Sequence, residues 1–109
     1  MGGHIYPKTG TQSARLLAAL LRGNAVGPLN GWRLLGIYRT AAVIFVLNKE
    51  GWGVTKETVH RPNRFGESCA FAHYRLPVEV IEAAGSAGQE FAAREMALVE
   101  AKARKAGAA

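Results

Sequence analysis

Three side chains in the second half of the chain are of metal-binding type. Cys69 and His73 stand four residues apart, which on a strand puts them on the same side. A hairpin would bring His60 opposite them. A structural zinc site needs paired-cysteine or histidine spacing and a closed ligand set, and neither accompanies these three. Nothing next to Cys69 marks it as an activated thiol. The chain contains no aspartate, which removes many acid–base and magnesium arrangements. Gly10 lacks the strand-to-helix partners of a phosphate-cradling loop. The expectation is no catalytic centre, no metal and no cofactor.

The remaining chemistry is cation against polyanion. Of 109 residues, 14 are Lys or Arg and 8 are acidic, for a net charge of +6 and a pI near 10.0. The first acidic residue is Glu50. Residues 1–76 carry a net +7 and residues 77–109 a net −1. This excludes an acidic mimic of DNA and favours DNA, RNA or an anionic surface as partner, with plain solubility charge as the alternative. Arg39, Arg61, Arg64, Lys8 and Arg33 are the cations to place.

The elements that must place them are legible in outline. Residues 1–10 are Gly-rich and polar and read as an arm. Thr9 with Gln12, or Ser13, begins a first helix, whose Leu16, Leu17, Leu20 and Leu21 form an apolar stripe with Arg15 and Arg22 off it. Gly23 ends it. Ala25–Gly27 is extended. Pro28–Leu35 reads as a short second helix, with Pro28 suited to the first helical position. Gly36 supplies a turn, and Ile37–Glu50 is a third helix with Lys49 in its last turn. Trp52–His60 and Cys69–Leu76 are strand-like, joined by the turn cluster Arg61–Ser68, in which Phe65 is expected to fold the tip back as an apolar anchor. Val78–Ala84 is a short helix, Gly85–Gly88 interrupts it, and Gln89–Lys105 is a solvated helix.

This order of helix, short strand, helix, turn, helix and hairpin is that of a winged helix-turn-helix. The segment from about Thr11 to Pro77 resembles the small helix-turn-helix domains common in phage and prophage genomes. The resemblance is carried by Thr11-Gln12, Leu16-Leu17, Leu20, Gly23, Trp32 to Arg39, Ala41-Ala42, Ile44, Leu47, Gly51-Trp52, Phe65-Gly66 and Tyr74 to Pro77. The fold class is then α+β, mainly α: a three-helix core, a β-hairpin wing and a C-terminal helix. The expected divisions are 1–10 (arm), 11–77 (winged domain) and 78–109 (helical extension).

The resemblance implies a non-enzymatic protein of phage or prophage type that binds double-stranded DNA, as a transcriptional regulator or a replication or excision accessory. The third helix would enter the major groove, where its N-terminal residues meet base edges. Those residues are Tyr38, Arg39 and Thr40. Tyr38 packed on the second helix and Arg39 bonding turn carbonyls are the structural alternatives. Arg61, Asn63 and Arg64 would form wing contacts, with Lys8 and Arg33 adding backbone charge.

One feature departs from a groove-reading helix. Val43 to Leu47 is an unbroken apolar run that cannot all lie on one stripe. Val43, Phe45 and Val46 therefore meet the tail, a second subunit or a partner protein. In the tail, Met96 and Val99 belong to a short seam that either packs on its own domain or forms a homodimer. The alternative function is accordingly a protein-interaction module, such as a phage-encoded inhibitor of a host nuclease or defence complex. An RNA partner is weaker, since no aromatic stacking strip is evident. One cysteine excludes an internal disulfide, no signal peptide is recognisable, and no apolar run approaches the ~20 residues that span a bilayer. Tyr6 stands where a myristoylation motif requires Ser or Thr. A cytoplasmic location in a bacterial host, with no membrane partner, is expected.

Overall fold

The computed structural model describes residues 5–27, 31, 35–37 and 39–108, with side chains to residue 105. The described elements are α1 (Gln12–Leu21), α2 (Thr40–Lys49), β1 (Thr55–Pro62), β2 (Ser68–Arg75) and α3 (Val78–Ala108). α2 is the predicted third helix. Of the predicted second helix, Gly31 and Leu35 are helical and buried, and the remainder lies outside the described residues.

α1 begins at Thr11, not at Thr9 or Ser13. The Thr11 backbone is extended, and its Oγ1 accepts the Ala14 amide at 3.2 Å, as an N-cap does. Thr9 fails as the cap because its hydroxyl is bonded to Glu95 in α3. The sequence reads α1 as amphipathic, yet every residue from Leu16 to Leu21 is buried. α1 is the central helix, packed against both α2 and α3. Arg15 survives at this position because its polar end is satisfied. Its Nε donates to the Leu35 carbonyl at 2.7 Å and its Nη1 to the Gly10 carbonyl at 3.2 Å. At the other end, Gln89 Nε2 donates to the Leu21 carbonyl at 3.1 Å, one of the acceptors a helix terminus leaves open.

α2 starts three residues later than the spacing predicts. Gly36 holds a positive φ of 69°, Ile37 is buried with its amide on the Gly31 carbonyl at 3.0 Å, and Arg39 is non-helical at φ −117°, ψ 74°. The chain spends Ile37 on the core before it turns into the helix. The C-terminal end is as expected, with Lys49 in the last turn and Gly51 at φ 94°.

β1 and β2 pair antiparallel in the register Thr55↔Arg75 to Pro62↔Ser68. The extended segment around Val26 joins this ribbon: Val26 and Tyr74 exchange both backbone hydrogen bonds at 2.8 Å. Gly27 follows because a Cβ there would stand 2.6 Å from the His73 ring. Asn48 of α2 ties the residue just before β1 to the helix. Its Oδ1 accepts the Val54 amide at 2.6 Å and its Nδ2 donates to the Val54 carbonyl at 3.3 Å.

The predicted break in the tail shrinks to one residue. Gly85, at φ 60° and ψ −147°, kinks α3, and helix resumes at once. After the kink, Phe91, Ala92 and Glu95 are buried against the domain. The N-terminal segment is also docked. Ile5 pairs its amide with the Glu50 carbonyl at 3.2 Å and receives Trp52 Nε1 on its own carbonyl at 3.0 Å. The Tyr6 ring lies 5.1 Å from that of Trp52 and 4.9 Å from that of Phe91. From Ile5 onward the predicted arm is a strap closing the core.

Candidate nucleic-acid interface

Exposed cations stand at the N-terminal end of α2 and at the tip of the β1–β2 hairpin, among other places. Arg39 is the N-cap residue of α2. Its carbonyl accepts the Ala42 and Val43 amides at 3.1 and 3.3 Å, while its side chain is exposed and makes no hydrogen bond or ion pair among the described residues. The predicted alternative, a guanidinium bonding the turn carbonyls, is realised by Arg15 rather than Arg39. A helix N-terminus with a cation beside it is suited to an anion.

Thr40 does not stand beside Arg39 in this role. It is 5% exposed, and its Oγ1 faces the place where a Cβ on Gly31 would lie, at 2.8 Å. Thr40 is therefore buried against Gly31 and is not open to a groove. Tyr38 and Arg33 lie outside the described residues.

The hairpin tip is a defined turn rather than an open loop. Asn63 Oδ1 accepts the amides of Phe65 and Glu67 at 2.9 and 3.0 Å, and its Nδ2 donates to the Glu67 carboxylate at 2.9 Å. The Asn63 amide, expected among the DNA contacts, is occupied in building the turn. The same network holds the only acid of the tip away from Arg61 and Arg64. Phe65 is no anchor: the side-chain network already closes the turn, and the ring is 78% exposed with the Arg64 guanidinium 6.0 Å from its centre. Lys8 is exposed on the docked strap, where its carbonyl accepts the Thr11 hydroxyl at 2.7 Å.

The basic residues of this half are largely unspent. Among the described residues the single ion pair is Arg94–Glu95, in α3. Lys8, Arg39, Lys49, Lys56, Arg61 and Arg64 are exposed and have no carboxylate partner among the described residues. Arg75 donates to the Gly23 carbonyl at 3.4 Å.

The apolar run of α2 divides. Val43 is half-buried and packs on the core, as does Met96 of α3. Val99 is half-buried and, with Met96, lines a groove of about 420 Å³ against Ala19, Val26 and Leu35. Phe45 and Val46 remain outside, 64% and 42% exposed, with Lys49 Nζ 5.6 Å from the Phe45 ring. His60, Cys69 and His73 do not assemble: no group of three metal-ligating side chains comes together among the described residues. No helix among the described residues is long and apolar enough to cross a membrane.

Sequence reasoning missed Arg15, Asn48 and Glu95 as positioning residues. A basic, amide or acidic side chain beside leucines was the available signal, but their partners lie far away in sequence or across a turn. No curated protein and no solved structure matches the chain. The family model of the winged helix-turn-helix domain matches residues 11–79, more than half of its length. The chain belongs to the winged helix-turn-helix domain family.

Proposed function

We propose that this winged helix-turn-helix protein binds double-stranded DNA without catalysis, as a small regulator or a replication or excision accessory of the phage and prophage type. α2 would enter the major groove and the β1–β2 hairpin would lie along the adjoining backbone or minor groove. One observation carries the reading. Arg39 at the head of α2 and Arg61 and Arg64 on the wing are exposed and, among the described residues, free of carboxylates, on a domain of this family. Cations left unpaired by the fold are those that can release counterions from a phosphate backbone.

The test is fluorescence anisotropy of a ~25 base-pair duplex titrated at several salt concentrations. The expected log–log slope is about −3 to −5, corresponding to roughly four or five phosphates neutralised. Arg39→Ala with Arg64→Ala should flatten that slope by about two. Absence of binding at low salt would overturn the reading.

The second reading, a protein-interaction module such as an inhibitor of a host nuclease or defence complex, has its own observation in exposed Phe45 and Val46. Apolar surface on an exposed helix face marks a contact of some kind. Phe45→Glu would abolish capture of a protein partner under that reading while leaving the monomer folded.

A further inference from the structure

DNA binding leaves open what α2 would read. Its ten residues contain no acid. The exposed ones are Ala41, Ala42, Phe45, Val46 and Lys49, with Asn48, also exposed, at the edge of the strip they form. At about 100° per residue the first five span an arc of roughly 140°, opposite the buried face of Thr40, Ile44 and Leu47. That strip carries no hydrogen-bonding side chain except Lys49 at its C-terminal end. Asn48, the one amide on the helix and the residue type suited to adenine, has both amide atoms committed to Val54. Bidentate reading of bases along the strip is therefore closed to this helix. The groups it offers are two methyls, a ring and an isopropyl, with Arg39 at one end and Lys49 at the other.

In the major groove, the counterpart of an apolar side chain is the C5-methyl of thymine. Ala41 and Ala42 add nothing beyond Cβ, so the first turn of α2 can lie close to the groove floor. Phe45 and Val46, one turn on, reach further. A helix about 15 Å long in a groove about 12 Å wide brings its two terminal cations toward phosphates on either side. The cationic ends argue against a purely apolar docking partner. Two exposed large apolar side chains are also small against the ≈ 800 Å² per partner of a stable protein interface.

We propose that the exposed face of α2 reads thymine methyl groups, so that the protein prefers A·T-rich duplex through Phe45 and Val46. This rests on the DNA reading above. The experiment compares three duplexes of one length at one salt concentration: alternating A·T, the same sequence with deoxyuridine for thymine, and G·C. Deoxyuridine removes the methyl and leaves the base-pairing edge unchanged. Burial of one methyl corresponds to about a fourfold change in affinity, so A·T should bind about tenfold or more tightly than A·U. Phe45→Ala should reduce that ratio toward unity with its salt slope unchanged, since it carries no charge. Phe45 is exposed, and circular dichroism of the variant should match the parent. Equal, salt-dependent binding to all three duplexes would overturn the methyl proposal and leave DNA binding standing. Failure to bind any duplex would overturn both and turn attention to a protein partner.

Discussion

The carboxylate of Glu95 accepts the Thr9 hydroxyl at 2.5 Å and the Gly10 amide at 2.9 Å, across 86 and 85 residues of chain. This contact fastens the N-terminal strap to α3, beside the start of α1. Glu95 is completely buried, and a buried carboxylate is tolerated only when its lone pairs are satisfied. Burial alone would push its proton affinity up. The Thr9, Gly10 and Arg94 hydrogen bonds outweigh that and hold the carboxyl below its ordinary value of 4.5.

A pH dependence follows. The unfolded chain binds this proton more readily than the folded one, so the contribution of Glu95 is complete above about pH 4.5 and is lost as pH falls through the lower folded value. Thermal denaturation between pH 7 and pH 3 should show stability falling in the acid range. Glu95→Gln should lose part of that fall. A Gln variant whose pH profile matches the parent would refute the assignment.

Arg15 joins α1 to the end of the predicted second helix and to the strap. Arg15→Met keeps the aliphatic stem and strands the Leu35 and Gly10 carbonyls. The expected loss is about 1–3 kcal/mol in urea denaturation, with no change in the m-value. Arg15→Lys should recover only part of it, since an ammonium lacks the guanidinium fork.

Asn63 is expected to separate wing geometry from fold stability. Asn63→Ala removes three exposed hydrogen bonds at the tip of a hairpin whose core contacts lie elsewhere. Melting should change by less than about 1 kcal/mol, while affinity for duplex DNA should fall several-fold as Arg61 and Arg64 lose their fixed placement. Unchanged affinity would show that the wing tip does not contact DNA.

Gly88 sits where α3 meets the core just after the kink. A Cβ there would approach the Ala84 Cβ to 2.6 Å, with Leu21 and the Tyr6 hydroxyl close behind at 3.5 and 3.6 Å. Gly88→Ala should therefore destabilise by about 1–3 kcal/mol despite its better helix propensity, as measured by chemical denaturation. A stabilised variant would mean that α3 can shift away from α1 freely.

What the sequence determined is what short-range chemistry can carry. The order of elements, the glycine ends of α1 and α2, the extended residues around Val26, the antiparallel hairpin and the break near Gly85 each rest on residues a few positions apart. The concentration of positive charge before residue 77 and the surplus of apolar side chains in α2 were likewise legible. The tertiary structure decided which side of each element faces inward, because that depends on distant neighbours. Thr40 is buried against Gly31, and Val43 packs inward while Phe45 and Val46 do not. Asn48 is committed to the Val54 backbone and Asn63 to the Phe65 and Glu67 amides and the Glu67 carboxylate, so the polar groups of the candidate interface left without such partners among the described residues are cations, Arg39, Arg61 and Arg64 among them. The strap became part of the core because Tyr6 meets Trp52 and Phe91, and Thr9 meets Glu95. No local pattern encodes such pairs, since desolvation and hydrogen bonding act on whatever the fold brings together.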